Sequence, residues 1–282
     1  MKKILQKKIA FISSNIGSTF ISTIIRASEL RIKEKRLNYK INYFPAGIRE
    51  NDIDKVILEV INSGEIDGFI IAGIKPVGKS RKLLVDKKIP TVLIEQKLDG
   101  LHSITIDNFK SGYEAAKRIL LAGRKKIGVI IDPQTKIKDM ATYERFRGFK
   151  KCMKDNGINL LDKNIEMIEL HTIEQGRMIF EKMENKIKNL DAIFSVAGDL
   201  VAIGFMLEAK ANGIKIPDDI AIVGFDDIEM AIAVEPALTT VRQPIKDMGS
   251  IAINIIHKAL TGELDKLQNI ILRSEFIKRE TL

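Results

Sequence analysis

The chain alternates between two kinds of segment, short apolar runs rich in β-branched residues and longer amphipathic stretches. The apolar runs cover residues 9–12, 66–71, 91–94, 127–131, 192–196 and 220–223. Apolar residues recur at helical spacing over residues 19–35, 52–62, 110–121, 143–156, 174–186 and 200–212. Strands that alternate with helices of about 10–15 residues build βαβ units, so the pattern predicts an α/β fold with parallel sheets.

The pattern restarts in the middle of the chain. The stretch "RKKIGVIIDP" at 124–133 resembles "QKKIAFISS" at 6–14, since both run from a basic turn through an apolar strand into a polar loop. We therefore expect two similar α/β halves, the second starting near residue 120. The rhythm changes after Asp227: "PALTTVRQP" predicts a short extended segment, and a helix over about 245–261 and a β pair at 269–272 and 274–278 follow. We expect this last part of the chain to cross back and cover the first half.

Length and composition place the chain among soluble globular proteins. Its 282 residues suffice for one large domain or two of ordinary size, and 45% of them are hydrophobic and 29% charged. The single cysteine, Cys152, excludes an internal disulfide framework and fits a reducing compartment. No apolar run approaches the roughly 18 residues that a membrane span needs.

The basic start "MKKILQKKIAFISS" was compared with a signal peptide. Its apolar stretch at 9–12 is shorter than the roughly 7–15 residues of a signal-peptide core, and no small-x-small cleavage site follows. The sequence predicts instead a first strand over 7–14 behind a basic leader, in a cytoplasmic protein without membrane contact.

A net charge of +9 raises the question of a polyanion partner. The lysines are spread thinly, and the densest runs, at 31–36 and 124–126, fit a solvated helix face and a turn before a strand. The charge pattern favours solvated surface over a nucleic-acid patch.

Metal, nucleophile and phosphate-loop chemistry find little support. The three histidines, His102, His171 and His257, have no ligand spacing, so structural or surface roles are favoured. Cys152 lies within a predicted helix and fits a core position. The stretch "GIKPVGKS" at 73–80 has the wrong spacing for a phosphate loop and contains Pro76, so a plain loop is favoured. The sequence predicts neither a cofactor nor a metal.

Carboxylates at strand ends are the chemical feature that remains. Ligands of open parallel sheets bind outside the carboxyl ends of the strands. The acids at such positions are Asp107, Asp132, Asp199, Asp226 and Asp227. Capping of the next helix is the favoured role for Asp199 and Asp227. Asp226 directly follows Gly-Phe, where a loop carboxylate can accept hydrogen bonds from hydroxyls or an N–H pair, and a structural role is its alternative.

Several segments resemble the effector-binding domain of the lac repressor family of bacterial transcription regulators and, more distantly, periplasmic sugar-binding proteins. They are "ITIDNFKSGYEAAKRILLAGRKKIGVI", "ERFRGF", "IFSVAGDLVAIG", "IPDDIAIVGFDDIEMA" and "PALTTVRQP", in the family's order over nearly the whole chain. The resemblance implies two Rossmann-like lobes with parallel sheets, the periplasmic binding protein type I fold, joined by three crossovers near 119–122, 242–245 and 268–272. The N-terminal lobe would comprise residues 1–120 and 245–268, and the C-terminal lobe 121–242 and 270–282.

The resemblance also implies a small-molecule effector, a sugar or a nucleobase, in a cleft between the lobes. The family's contact positions fall on Phe20, Ile21, Asp107, Arg145, Phe194, Asp226 and Gln243. Arg145 is preferred to Arg147 because it fits R-x-x-G-F. The aromatic rings would cover sugar faces, while Arg145 and Asp226 would bond hydroxyls. Phe194 as plain core and Gln243 as a hinge hydrogen bond without ligand are the alternatives.

The sequence departs from the family at three places. Gly198 precedes Asp199 where many members have Asn, and "GSTFI" replaces the usual first loop; a purine-like ligand is therefore an alternative to a hexose. No helix-turn-helix is recognisable, so the DNA-binding headpiece is expected to be absent from this chain. Either it has been removed, with Met1 added, or the natural protein is a free-standing binding domain.

The resemblance thus favours a cytoplasmic, homodimeric regulator that meets operator DNA only through such a headpiece. Its dimer surface would come from helices near residues 23–35, 51–62 and 245–260. A transport-associated sugar-binding protein is the alternative. An enzyme that uses Asp226 and Asp227 as acid and base is disfavoured, because adjacent residues usually point apart and no nucleophile or metal set accompanies them.

Overall fold

The computed structural model describes residues 6–15, 17–47 and 49–282, so the basic leader expected before residue 6 lies largely outside the described residues. The strands are β1 (Lys7–Ser13), β2 (Tyr39–Pro45), β3 (Gly68–Ala72), β4 (Thr91–Ile94), β5 (His102–Ile106), β6 (Ile127–Ile131), β7 (Ile165–Met167), β8 (Ala192–Ser195), β9 (Ala221–Asp226), β10 (Thr239–Arg242), β11 (Asn269–Leu272) and β12 (Glu275–Ile277). The α-helices are α1 (Thr19–Glu34), α2 (Glu50–Asn62), α3 (Gly78–Asp86), α4 (Asn108–Leu121), α5 (Ala141–Asp155), α6 (Ile173–Ile187), α7 (Asp199–Ala211), α8 (Met230–Ala233) and α9 (Ile245–Thr261). The predicted α/β class is confirmed.

The chain divides into two compact units. Unit 1 comprises Met1–Thr105 and Pro244–Leu272, and unit 2 comprises Ile106–Gln243 and Arg273–Leu282. The chain therefore passes from one unit to the other three times. Two of these passages, after Gln243 and after Leu272, fall at or next to the predicted crossovers.

Unit 1 is built on a six-stranded sheet in the order β11-β5-β4-β3-β1-β2. The register of β1 against β2 and β3 is parallel, as is that of β4 against β3 and β5. Side chains of β3 and β4 are fully buried, because helices cover both faces of a parallel sheet. Helix α9, from the late part of the chain, packs on α1: Ser28 Oγ donates to the Gly249 carbonyl oxygen at 3.2 Å.

Unit 2 repeats this architecture with the order β12-β10-β9-β8-β6-β7. Both sheets thus contain a doubly wound core in which the second strand lies outside the first, and the third to fifth follow on the other side. The direction of strand order reverses at β6 and β8, which is where such sheets bind ligands beyond their carboxyl ends. The repeat that the sequence indicated is therefore a repeat of sheet topology.

The first boundary between the units lies earlier than the sequence indicated. Helix α4 was expected in the first lobe, but the division falls between Thr105 and Ile106, so α4 belongs to unit 2. The reason is close packing against α5. A Cβ on Gly112 would lie 1.8 Å from the carbonyl oxygen of Arg145, and one on Gly148 would lie 1.9 Å from that of Phe109. Each of these glycines faces the other helix and lets the backbones of α4 and α5 approach closely. The chain therefore passes from unit 1 to unit 2 before α4 and not after it.

Two further expectations differ from the structure. The segments near 269–272 and 274–278 do not pair with each other: β11 is the edge strand of the first sheet, and β12 pairs antiparallel with β10 in the second. Long-range pairing decides this, and the local sequence does not encode it. The stretch at 73–80 was expected to be a plain loop, but its last residues begin α3 at Gly78. Pro76 precedes the helix and therefore does not interrupt its hydrogen bonds.

Replacing Gly112 with alanine is expected to lower the free energy of unfolding by about 1–3 kcal/mol, because the new methyl group meets backbone rather than a movable side chain. Helix propensity alone would favour alanine by about 1 kcal/mol, so a loss isolates the clash. Urea denaturation measures the change. Gly17→Ala is the control, since the nearest atom to its Cβ position, Asn15 Oδ1, is 3.8 Å away. Equal small effects in both variants would contradict the packing argument.

Candidate ligand-binding site

Asp226 ends β9 at the carboxyl edge of the second sheet, with a positive φ of 117°. Gln243 follows the end of the neighbouring strand β10 and holds this acid: its Nε2 donates to Asp226 Oδ1 at 2.7 Å, and its backbone N–H donates to the Asp226 carbonyl oxygen at 3.3 Å. Asp226 is half-buried and Gln243 is buried. The Gln243 Oε1 atom is buried without a hydrogen-bond partner among the described residues. The pair therefore presents a fixed set of acceptor atoms.

Gly198, after the end of β8, makes room for this carboxylate. Its φ is +99°, a conformation that L side chains rarely adopt, and a Cβ there would lie 2.9 Å from Asp226 Oδ2. The departure from the family's Asn at this position therefore has a local consequence. The carboxylate of Asp226 lies close against the backbone at residue 198, where a side chain would displace it.

Arg145 is the cation of this cluster. Its side chain, from the first turns of α5, is buried; Nη1 donates to the Val196 carbonyl oxygen at 2.8 Å, and Nε and Nη2 reach Asn108 Oδ1 at 3.3 and 3.2 Å. The guanidinium carbon lies 3.4 Å from the ring centroid of Phe225, one residue before Asp226. Burial raises the pKa of Asp226, and the charge of Arg145, the Gln243 bond and His171 act against that rise. Arg147, the alternative arginine, is exposed and pairs with Glu144.

The other two acids of the strand-end segment have structural partners. Asp199 is buried; its Oδ1 accepts from Thr240 Oγ1 at 2.6 Å and its Oδ2 from the Ile228 N–H at 3.0 Å. It therefore braces the turn after β9 and does not cap its own helix, whose N-cap is Gly198. Burial, followed by the nearby charge of Asp226, raises the pKa of Asp199 well above its ordinary value of 3.8.

Asp227 was expected to cap or brace the following turn. It lies between two arginines, with Arg242 Nε at 2.6 Å from Oδ2 and Arg279 Nη2 at 2.6 Å from Oδ1. The capping part of the expectation is wrong, because the N-cap of the next helix, α8, is Glu229, whereas the bracing part agrees with these two bonds. These bonds tie the turn to β10 and to the C-terminal segment of unit 2.

A second acid, Asp132, follows β6 at the reversal of strand order. Its Oδ1 accepts from the Thr135 N–H at 2.9 Å, from Thr135 Oγ1 at 3.0 Å and from Thr142 Oγ1 at 2.9 Å. Its buried Oδ2 has no hydrogen-bond partner among the described residues and lies 3.5 Å from His171 Nε2. His171 Nδ1 is 2.8 Å from the Ala197 carbonyl oxygen, and because a carbonyl only accepts, Nδ1 carries a proton.

His171 is the residue that sequence reasoning missed, since a structural or surface role was favoured for it. The signal that could have revealed it is its position just after a strand, but β7 has only three residues and was not predicted. His171 lies close enough to Asp226 to act against the rise in the pKa of that carboxyl, so it belongs to the same cluster.

Phe194 does not contact this cluster as an aromatic floor. It is fully buried in β8, and its ring stacks on that of Phe149 with centroids 4.9 Å apart. A central strand of a doubly covered sheet buries its side chains on both faces, so an aromatic residue there serves the core. The burial and stacking of Phe194 support the plain-core alternative, and its contact with a ligand stays a prediction.

Phe20 and Ile21 belong to the first turn of α1 in unit 1. Ser18 caps this helix, accepting from the Ile21 N–H at 3.2 Å. The Ile21 side chain is 4% exposed and lies in the core of unit 1, so the structure does not support its contact with a ligand. Phe20 is half-buried and stays a predicted contact.

Asp107 is exposed and caps α4, with its carboxylate accepting from the Lys110 N–H at 2.9 Å. Its role toward a ligand stays a prediction. The structure thus brings together Arg145, Asp226 and Gln243 among the predicted contacts, and adds Asp132 and His171. Among the described residues, no three His, Cys, Asp or Glu side chains converge as metal ligands. No helix in the described part of the chain is long and apolar enough to cross a bilayer.

Comparison with known proteins agrees with this architecture. The family model of the periplasmic binding protein-like domain matches residues 116–282. The transcriptional regulator RegA of Clostridium saccharobutylicum, of the helix-turn-helix type, is 30% identical over 288 residues, covering 98% of this chain and 81% of RegA. A solved LacI family transcriptional regulator from Enterococcus faecium with bound ribose has a TM-score of 0.83 at 22% identity, covering 98% of each chain. A complex of the regulator CelR with cellobiose has a TM-score of 0.82 at 21% identity, covering 98% of this chain and 86% of CelR.

Fold, strand-end cluster and sequence similarity together define an effector-sensing protein of the periplasmic binding protein type. The chain belongs to the LacI-type transcription regulators and carries their effector-binding domain.

The raised pKa of Asp199 predicts that the free energy of unfolding depends on pH. Its folded pKa lies above its unfolded value, so the stability it contributes is present at low pH and is lost as the pH rises above about 4. Relative to Asp199→Asn, the wild-type chain should lose stability in urea titrations as the pH is raised from about 4. Adding Asp226→Asn, which removes the neighbouring charge, should lessen this pH dependence. A difference between wild type and Asp199→Asn that does not change with pH would contradict the assignment.

Proposed function

We propose that the cluster around Asp226 in unit 2 binds an uncharged small metabolite rich in hydrogen-bond donors, and that a sugar is this effector. The observation that carries the proposal is the Asp226–Gln243 pair, which leaves Gln243 Oε1 buried and without a partner among the described residues. A buried acceptor without a partner costs about 1–3 kcal/mol, and a ligand hydroxyl that donates to it recovers this cost.

The charges of the cluster support a neutral ligand. Arg145 already donates to a backbone carbonyl and to Asn108, and its charge acts on the acid Asp226. A phosphate or carboxylate placed here would meet acceptors and this acid. The hydroxyl groups of a sugar can donate hydrogen bonds to the carboxylate oxygens of Asp226 and the amide oxygen of Gln243.

The comparisons support a sugar over a nucleobase, since two related solved structures contain ribose and cellobiose. A nucleobase is the second candidate, favoured by Gly198 in place of the family's Asn. Its N–H groups would also donate to Asp226 and Gln243, but it offers fewer donors than a sugar. A transport-associated binding protein is not favoured, because the relatives are transcription regulators.

The same proposal includes three features that accompany the function of a helix-turn-helix regulator. They are binding to operator DNA through a DNA-binding headpiece, association with a second copy of the chain, and a cytoplasmic location. The relatives are regulators and not enzymes, and we propose that this chain has no catalytic activity either. Asp227, which an acid–base pair would need, is occupied by Arg242 and Arg279.

The dimer proposal rests on helices α1, α2 and α9 of unit 1 as its main surface. We expect light scattering at micromolar concentration to give about twice the mass of 31.7 kDa calculated for one chain. A single-chain mass at that concentration would contradict a stable dimer while leaving the effector proposal standing.

A thermal-shift panel of sugars, sugar phosphates and nucleobases tests the effector proposal. At about 100 times its dissociation constant a ligand adds about 2.7 kcal/mol, which should raise the melting temperature by roughly 5 °C or more. The sugar that binds should lose its effect in Asp226→Asn and keep it in Asp218→Asn, which removes the same charge from an exposed position in unit 2. A sugar phosphate as the strongest ligand, or an unchanged response in Asp226→Asn, would sink the proposal.

A further inference from the structure

Unit 2 contains a second cavity, at the outer edge of its sheet. Its volume is about 570 Å³, within the range of small-molecule pockets. It lies between α5 and the edge strand β7, and its apolar lining comes from Ile131, Tyr143, Phe146, Ile165 and Met167. Arg145, Asp226 and Gln243 are not among its lining residues, so this cavity is distinct from the cluster described above.

The polar lining of the cavity is predominantly basic. Lys136, Arg147 and Lys150 contribute three positive charges against the one negative charge of Asp162. Lys136 and Lys150 are exposed, and the described residues give neither of them a carboxylate partner within 4.0 Å. Arg147 is partly neutralised by Glu144, which it reaches at 2.5 Å.

The aromatic lining joins the charged part to the apolar part. The Lys150 ammonium lies 4.5 Å from the centroid of the Phe146 ring, and this ring also lines the cavity. A cation over a ring face is attracted to it but keeps most of its charge available to an anion. Tyr143, one helical turn before Phe146, adds a second ring to the same wall. The apolar lining of the cavity therefore borders the ammonium groups of Lys136 and Lys150.

We propose that this cavity binds a small amphipathic anion, an aromatic or aliphatic body that carries one phosphate or carboxylate group. The body packs on Phe146, Ile165 and Met167, and the anionic group pairs with Lys136 and Lys150. The size of the cavity and the apolar residues that line it favour a small molecule over an extended peptide or nucleic acid. The proposal is independent of the effector site, whose acids favour a neutral ligand.

Binding in the cavity would act on the helix that holds the effector cluster. Phe146 directly follows Arg145 in α5, and Thr135, which lines the cavity, donates to Asp132. A ligand here would therefore contact the backbone segments that position both charged groups. Coupling between the two sites is a consequence to measure, and the binding proposal stands without it.

Phenyl phosphate is the test probe, with phenol and inorganic phosphate as probes that carry only the ring or only the charge. Titration of the whole chain, followed by amide shifts in heteronuclear NMR, should show binding of phenyl phosphate in the millimolar range, with shifts at residues of β7 and α5 that line the cavity. Phenol and inorganic phosphate should each bind at least about fivefold more weakly, because each lacks half of the contacts.

The double variant Lys136→Gln/Lys150→Gln should weaken phenyl phosphate binding about tenfold. Lys138→Gln/Lys154→Gln has the same net charge, changes exposed residues outside the cavity, and should bind as the wild type does. Equal weakening in both double variants would show a general charge effect and overturn the proposal. Equal binding of inorganic phosphate and phenyl phosphate, shifts confined to the residues around Asp226, or no binding at about 10 mM would also overturn it.

Discussion

The buried guanidinium of Arg145 is the constraint on which the carboxyl edge of the second sheet depends. A charge without water must find acceptors, and Arg145 finds them in the Val196 carbonyl and the Asn108 amide, with the face of Phe225 beneath it. Asn108 can reach it only because α4 and α5 approach closely, and Gly112 leaves that space. The packing of α4 against α5 therefore also fixes the position of the Arg145 charge.

Three neighbouring acids in unit 2 show how environment separates residues of equal chemistry. Asp227 is neutralised by two arginines and fixes the C-terminal segment of the unit. Asp199 is bonded to a hydroxyl and a backbone N–H, and burial raises its pKa most clearly. The Asp226 carboxylate accepts from the neutral amide of Gln243, and Gly198 leaves room beside its Oδ2. The proposed effector site rests on this last arrangement.

The family supplies the scaffold, and a few replaced side chains adapt it. Gly198 leaves the edge without a side chain at that position, while Asp132 and His171 bring a carboxylate and an imidazole together beyond β6 and β7. The lysines around the outer cavity carry charge that the effector cluster does not use. Identity to the related regulators is at most about 30% among those compared, while the fold stays the same.

The sequence by itself determined the α/β class, the repeat of two halves and the place of Asp226 at a strand end, because strand and helix periodicities and strand-end polar residues are local signals. Tertiary structure decided the rest. Phe194 was indicated as a ligand contact, but the central position of β8 buries it, and Asp227 looked like a cap until Arg279, 52 residues away, reached it. The short strand β7, which brings His171 to Asp132, has too few residues for a periodic signal. Periodicity records which side of an element is buried, but which element comes to lie beside it depends on contacts far apart in the chain.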